Sequence, residues 1–108
     1  MIPQVEPVEL AAWRKDPERQ APLVVDVRER WEFDHCRLQD SMSVPLGALA
    51  NAAAGLPRDR DIVLVCHHGT RSHHAAAWLQ RAGFDRVHNL RGGVAAWADQ
   101  VEPAMKRY

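Results

Sequence analysis

Two nearly continuous apolar runs constrain the fold of this chain more than any other feature of its sequence. LVVDV occupies residues 23–27 and IVLVC occupies residues 62–66, and neither run alternates apolar with polar positions. A strand with one face in water alternates in this way, whereas a parallel strand covered on both faces stays apolar along most of its length. The two runs therefore predict buried strands of a parallel sheet.

The remaining segments alternate with these strands as in an α/β protein. MSVP at residues 42–45 and RVHNL at residues 86–90 are shorter candidate strands, and a short extended start precedes the helical pattern of residues 7–15. Further helical patterns cover residues 29–35, 46–55, 71–83 and 93–101. Strands that alternate with helices predict an α/β fold with a mainly parallel sheet. Because the chain has 108 residues and no internal repeat or linker, we expect one domain spanning residues 1–108.

Charge and composition exclude several classes of function. The 14 basic and 14 acidic residues leave no net charge, so there is no electrostatic case for binding nucleic acid or an anionic membrane. No apolar run reaches the roughly 20 residues of a membrane span, and the N-terminal residues lack the pattern of a signal peptide. Two cysteines do not make a secreted disulfide scaffold. We therefore expect a cytoplasmic protein without nucleic-acid or membrane partners.

The chemistry-bearing residues concentrate in the loop CHHGTRS, residues 66–72. Cys66 ends a parallel strand at the sheet edge where α/β proteins bind ligands, and a helix that starts near residue 71 or 72 directs its free N–H groups to the same point. A helix N-terminus and a nearby arginine increase the fraction of a thiol that is ionised. Gly69 can adopt the positive φ of a tight loop, and Arg71 has a planar fork suited to an oxyanion. The loop therefore predicts a reactive cysteine rather than a merely buried one.

The helix after this loop is predicted in more detail. Ala75, Trp78, Leu79 and Ala82 lie at helical spacing, which predicts one apolar stripe against the sheet. Ser72 is a suitable N-cap residue.

Four histidines near the cysteine raise the alternative of a zinc site. His73 and His74 are adjacent on a helix and so diverge, while His67 and His68 belong to the loop itself. No second cysteine stands at ligand spacing. We therefore predict no metal, a loop pair that adds dipoles or partial positive charge, and a helical pair that faces solvent.

Four short motifs occur in order along most of the chain. They are DVRE at residues 26–29, C-x-x-G-x-R-S at residues 66–72, A-x-x-L-x-x-x-G-F at residues 76–84, and L-x-G-G-x-x-x-W at residues 90–97. In this combination the chain resembles the single-domain rhodaneses, a family of thiosulfate or persulfide sulfurtransferases. The resemblance implies a rhodanese-like α/β fold with about five mainly parallel strands and helices on both faces of the sheet.

The resemblance also implies a reaction and a set of site residues. In such enzymes the loop cysteine takes the outer sulfur of thiosulfate as a persulfide, and a thiol or cyanide then removes it. Cys66 would be the sulfur carrier, supplied by a small-molecule or protein-persulfide donor and emptied by a thiol acceptor, without a cofactor. The substrate-binding cradle would comprise His67, His68, Gly69, Thr70, Arg71 and Ser72. Asp26 and Arg28, in the DVRE motif, would support the structure beside the loop.

The chain departs from its relatives in one segment. Many relatives have G-H-I-x-G-A where this chain reads DHCRLQDSMSVPL, and Asp40 replaces a frequent glycine there. We expect the local turn to differ. Cys36 lies in the same segment, and we expect it to pack in the core, with a resolving thiol as the alternative.

Two other functions remain open at this point. The first is a non-catalytic interaction module on the same fold, which the complete set of loop residues disfavours. The second is a small phosphatase or arsenate reductase. Only four residues separate Cys66 from Arg71, and by resemblance the loops of those enzymes are one residue longer, which would leave room for a whole tetrahedral oxyanion.

Overall fold

In a computed structural model of residues 1–108, five strands form a single sheet in the order β1-β5-β4-β2-β3. The strands are β1 (Gln4–Val5), β2 (Leu23–Asp26), β3 (Met42–Ser43), β4 (Ile62–Val65) and β5 (Val87–Leu90). Every neighbouring pair is parallel. The predicted α/β fold with a parallel sheet is confirmed, and the two long apolar runs contribute two of the three interior strands, β2 and β4.

Four α-helices connect the strands, and a fifth follows β5. They are α1 (Pro7–Lys15), α2 (Arg30–His35), α3 (Leu49–Ala52), α4 (Thr70–Arg81) and α5 (Gly93–Gln100). The single helix predicted over residues 46–55 is wrong, because 3₁₀ turns at Leu46–Ala48 and Ala53–Gly55 flank a short α3. A glycine lies in each of these turns, and glycine disfavours a regular helix. None of the helices combines the length and the apolar character that a membrane crossing requires.

The sheet is covered on both faces by separate apolar clusters. Val24 and Val25 point to opposite faces because side chains alternate along a strand. Val25 belongs to the cluster built with α3 and α4, which also contains Leu49, Ala53, Leu64, Ala75, Ala76, Leu79 and Phe84. Val24 belongs to the cluster built with α1 and α5, which also contains Leu10, Trp13, Val63, Leu90, Val94 and Trp97. This double cover explains why β2 and β4 are apolar almost throughout.

The apolar stripe predicted for α4 is partly wrong. Ala75 and Leu79 are fully buried, but Trp78 is 37% exposed and Ala82 is exposed as well. Ser72 and Ala76 are buried in place of these two residues. The buried face of α4 is therefore rotated relative to the predicted one so that it includes Ser72, and the Ser72 hydroxyl lies at the edge of the sheet.

Asp40 adopts a left-handed conformation, with φ at +62°. Glycine enters this region without steric cost, and aspartate is one of the few other residues that tolerate it. The turn therefore has the backbone conformation that glycine favours, although this chain has Asp40 where glycine is frequent among its relatives.

The register of the central strands brings three loops together. Asp26 pairs with Val65, and Leu64 pairs with Asn89. Because parallel strands end at the same edge, the residues that follow β2, β4 and β5 all lie there. Cys66 is the first residue after β4, between the other two loops.

Candidate active site

The sulfur of Cys66 is enclosed by hydrogen-bond donors from its own loop. Cys66 is 1% exposed. The Gly69 backbone N–H donates to its Sγ at 3.0 Å, and the Ser72 hydroxyl lies 3.3 Å from the same atom. Gly69 has a φ of +101°, as predicted for the tight loop, and it occupies the N-cap of α4. Donors in this arrangement stabilise negative charge on the sulfur.

Ser72 does not cap the helix, contrary to the sequence prediction. It lies inside the first turn of α4, and its hydroxyl has two acceptors in reach, the Cys66 sulfur and the side-chain oxygen of Asn89. The hydroxyl has one proton and so donates to one of them at a time. The prediction failed because Gly69, with its positive φ, is the N-cap, so the helix begins at Thr70, one or two residues earlier than expected.

Asn89 is a site residue that sequence reasoning missed. It is 3% exposed, in β5, and its side-chain amide donates to the Gly69 carbonyl at 3.1 Å and to the Gln4 side chain at 3.0 Å. It therefore ties the loop to the edge strand β1. The sign of this role in the sequence was an amide side chain near the end of RVHNL, a segment predicted to be a strand.

The first turn of α5 holds the loop from the other side. The backbone N–H groups of Val94 and Ala95 donate to the carbonyls of Cys66 at 2.9 Å and His67 at 3.0 Å. Gly93 makes this approach possible, since a Cβ on it would lie 2.3 Å from the Cys66 carbonyl oxygen. The L-x-G-G motif thus serves the contact between α5 and the cysteine loop.

The guanidinium of Arg71 is paired with a carboxylate. Its two terminal nitrogens donate to the two oxygens of Glu32 at 2.7 and 2.9 Å. The side chain of Glu32 is 6% exposed and that of Arg71 38%. The hydrogen bonds from Arg71 are the main cause that lowers the pKa of Glu32 to about 2. Glu32 therefore occupies the fork of Arg71 in this structure, and the expected contact of Arg71 with a ligand stays a prediction.

Asp26 and Arg28 form a fully buried ion pair next to this carboxylate. The closest nitrogen and oxygen atoms are 2.8 Å apart, and the two side chains are at most 1% exposed. Burial opposes the charge of Arg28, but the hydrogen bonds and charge of Asp26 outweigh burial and raise the pKa of Arg28. The pair joins the end of β2 to the segment after α2, because Arg28 also donates to the backbone oxygen of Cys36.

Tyr108 completes the polar network, and it is a second site residue that sequence reasoning missed. Its hydroxyl donates to Glu32 Oε2 at 2.6 Å and accepts from Arg28 Nη1 at 3.0 Å. Its ring centroid lies 4.7 Å from that of His67. The side chain therefore contacts both the buried ion pair and the cysteine loop.

The histidines do not converge on a common point. His67 and His68 contact each other, as do His73 and His74, and the structure holds no group of three His, Cys, Asp or Glu side chains suited to an ion. His68, His73 and His74 are exposed, as is Thr70, the first residue of α4.

His67 is half-buried behind the cysteine, and its surroundings shift its pKa. Burial, and next the charge of His68, lower the pKa of His67. A lowered pKa favours the neutral form of this side chain, so of the two predicted contributions, a dipole or a partial positive charge, the surroundings of His67 favour the dipole.

Cys36 is buried and unbonded to Cys66. It is 8% exposed, both cysteines are free, and its sulfur accepts from Arg28 Nη1 at 3.8 Å. Its packing in the core is confirmed. Whether it also acts as a resolving thiol stays a prediction for experiment.

Comparison with known proteins assigns the chain to a family. The family model described as "Rhodanese-like domain" matches residues 6–100. A "Sulfurtransferase" of Allochromatium vinosum is 40% identical over 76 residues, which cover 70% of this chain and 71% of that protein. The "Probable adenylyltransferase/sulfurtransferase MoeZ" of Mycobacterium tuberculosis is 36% identical over 107 residues, or 96% of this chain and 26% of that much longer protein.

A solved structure gives the same assignment. The rhodanese-related protein from Thermoplasma volcanium superimposes with a TM-score of 0.83 at 27% identity, covering 94% of this chain and 95% of the other. Together with the family match over nearly the whole sequence, the fold and the cysteine loop place this chain in the rhodanese-like domain family.

Proposed function

We propose that this protein is a sulfurtransferase that carries a sulfane sulfur as a persulfide on Cys66. The observation that carries the proposal is the Cys66 sulfur itself, which receives a hydrogen bond from Gly69 and lies beside the Ser72 hydroxyl at the N-terminus of α4. A sulfur anion in such surroundings is stabilised as a nucleophile. The names of the two curated relatives, which include sulfurtransferase, support the same reaction class.

The first half of the reaction loads the cysteine. The Cys66 thiolate attacks the outer sulfur of thiosulfate, a sulfur–sulfur bond forms, and the bond within thiosulfate breaks. Sulfite leaves with the electron pair of the broken bond. A small organic persulfide or a persulfidated protein serves as donor in the same way, with a thiolate as the leaving group.

The second half empties the cysteine. An acceptor thiolate attacks the outer sulfur of the Cys66 persulfide, and the Cys66 thiolate leaves. Cyanide acts as an alternative acceptor and leaves as thiocyanate. Both halves conserve sulfur atoms and electrons without a cofactor. The proposal places the protein in the cytoplasm, where thiols are kept reduced.

The residues around Cys66 have separate roles in this proposal. Gly69 and Ser72 stabilise the sulfur anion, and Arg71, held by Glu32, supplies positive charge beside the loop. Three more residues of the proposed cradle lie on the same loop and shape access to the sulfur: His67, His68 and Thr70. Asp26 and Arg28 fix the neighbouring strand end.

A phosphatase or arsenate reductase is a weaker candidate. Four residues separate Cys66 from Arg71, and Glu32, the carboxylate that is hydrogen-bonded to Arg71, has a pKa of about 2. A general acid must carry a proton at the working pH, which Glu32 does not. A pure interaction module would not need hydrogen-bond donors directed at the thiol.

The test is intact mass spectrometry after brief exposure to thiosulfate and removal of excess reagent. We expect the wild-type protein to gain one sulfur, about 32 Da, and to lose it on addition of a thiol. Cys36→Ser is the matched control, because it removes the only other cysteine, and it should gain the same mass. Cys66→Ser should gain nothing, because a hydroxyl cannot carry a sulfane sulfur.

Two results would contradict the proposal. If wild type gains no sulfur from either thiosulfate or an organic persulfide, the protein is not a sulfurtransferase of this kind. If Cys66→Ser still gains a sulfur that Cys36→Ser lacks, Cys66 is not the carrier. Hydrolysis of an aryl phosphate by wild type at a higher rate than thiosulfate use would favour the phosphatase.

A further inference from the structure

We propose that Tyr108 is a positioning residue for sulfur transfer, because its hydroxyl orients Glu32 and thereby fixes Arg71 beside the Cys66 loop. This inference rests on the proposed function. It concerns a residue outside residues 6–100, the part of the chain that matches the family model.

Glu32 is the link between the tyrosine and the arginine. One carboxylate oxygen accepts from Arg71 Nη1 at 2.7 Å and from the Glu29 backbone N–H at 2.9 Å. The other accepts from Arg71 Nη2 at 2.9 Å and from the Tyr108 hydroxyl at 2.6 Å. An ionised carboxylate offers about four acceptor positions, so the Tyr108 hydroxyl fills the last one. Without it, the oxygen that pairs with Arg71 Nη2 has one partner fewer to hold the plane of the carboxylate.

Arg28 anchors the same hydroxyl from the opposite side. Its side chain is fully buried, so each of its N–H groups needs an acceptor. Asp26 and the Cys36 backbone oxygen receive most of them, and Nη1 donates to the Tyr108 oxygen at 3.0 Å. The phenol thus accepts from a fixed cation and donates to a carboxylate, which defines the direction of its proton.

The ring of Tyr108 makes a second contact with the site. It lies against the ring of His67, at 4.7 Å between centroids with the planes tilted by 42°. His67 directly follows the sulfur carrier in the sequence. The same tyrosine therefore reaches the loop through Glu32 and Arg71 on one side and through His67 on the other.

The segment that carries Tyr108 is held at further points. The backbone oxygen of Arg107 lies 2.8 Å from the His35 ring nitrogen, and the Arg107 side chain pairs with Asp99 of α5. The Trp31 ring contacts the tyrosine ring edge-on. These contacts place Tyr108 against α2 independently of its hydroxyl, so a variant that lacks only the hydroxyl should keep the segment in place.

The first test is Tyr108→Phe, which removes the hydroxyl and keeps the ring. Loss of a hydrogen bond to a charged group affects an equilibrium by about tenfold to a hundredfold, and because Glu32 keeps its other donors we expect a smaller fall of roughly threefold to tenfold in kcat/KM with thiosulfate. Lys106→Ala is the matched control, since Lys106 is exposed in the same segment. It should leave the activity unchanged. An unchanged kcat/KM in Tyr108→Phe overturns the inference.

The second test asks whether the effect passes through Glu32. Tyr108→Phe is combined with Glu32→Gln in a double-mutant cycle. Because positioning acts through the carboxylate, the phenylalanine substitution should have little further effect once the glutamate is gone. If it lowers kcat/KM equally in both backgrounds, Tyr108 has only a structural role and the inference fails.

A third measurement separates this inference from the proposed function. Tyr108 is the only tyrosine, so ultraviolet absorbance reports the ionisation of this one phenol. Burial, and next the hydrogen bond to Glu32, raise the pKa of Tyr108, while Arg28 lowers it. The rings of His35 and His67 also face it.

In Glu32→Gln the phenol should titrate at lower pH than in wild type. An unchanged titration overturns the inference even if wild type is active. If the phenol titrates at lower pH in Glu32→Gln but the wild-type protein transfers no sulfur, the proposed function is overturned and the Tyr108–Glu32 contact stands.

Discussion

Glu32→Gln should remove a defined part of the acid sensitivity of this protein. In the wild type, hydrogen bonds from Arg71 lower the pKa of Glu32 from its ordinary value of 4.5 to about 2. A carboxyl group with a lowered pKa in the folded state stabilises that state above the unfolded pKa, and this stabilisation is lost as the pH falls through the folded pKa. The loss from Glu32 is therefore expected between about pH 4.5 and about pH 2. Glutamine cannot lose a proton and has no such contribution.

The structure sets the size of the effect. The difference between 4.5 and about 2 corresponds to about 3 kcal/mol in the free energy of unfolding. This is an upper value, because the side chain of Arg71 is 38% exposed and water screens part of the interaction. We therefore expect wild type to exceed Glu32→Gln in stability by about 2 kcal/mol near neutral pH, and the difference to shrink toward zero near pH 2.

The assay is urea unfolding followed by circular dichroism at a series of pH values. Comparing the two proteins at each pH cancels the contributions of the other acidic groups, Asp61 among them, whose pKa is also lowered. A stability difference that stays constant from neutral pH to about pH 2 would refute the reasoning. It would mean that pairing with Arg71 does not lower the pKa of Glu32.

Two further substitutions test the loop. Gly93→Ala should destabilise the fold by about 3 kcal/mol and abolish sulfur transfer. Gly93 has a φ of +63°, and a Cβ on it would lie 2.3 Å from the Cys66 carbonyl oxygen. Wild-type stability in urea would contradict this prediction. Arg71→Lys keeps the charge but loses the paired hydrogen bonds to Glu32, so kcat/KM with thiosulfate should fall by about tenfold to a hundredfold. A rate equal to that of wild type would show that the paired geometry is dispensable.

The sequence predicts best where local pattern and chemistry agree. The runs at residues 23–27 and 62–66 become β2 and β4, because burial on both faces of a sheet leaves a signal in consecutive residues. The loop between β4 and α4 is predicted for a similar reason: its cysteine, glycine and arginine are close in sequence as well as in space. Gly69 shows the predicted positive φ.

The partners of this loop are harder to predict because they are distant in sequence. Glu32 is 39 residues from Arg71, and Tyr108 is 76 residues from Glu32. No periodicity connects such positions. The carboxylate that occupies the fork of Arg71 therefore could not be foreseen from the loop alone. The prediction of the apolar stripe on α4 failed for a local reason. Helical spacing allows either Ala76 or Trp78 to be buried beside Leu79, and only packing against the sheet selects the smaller residue.

The contact between α5 and the cysteine loop has a consequence during protein synthesis. Residues that shape the surroundings of Cys66 come later in the chain than Cys66 itself: Asn89 in β5, and Val94 and Ala95 in α5. A ribosome releases the thiol before it releases these residues, and domains fold as units once enough of the chain has emerged. The nascent cysteine therefore lacks the packing of β5 and α5 against its loop. The sulfur transfer that we propose for Cys66 thus depends on residues that are synthesised after it.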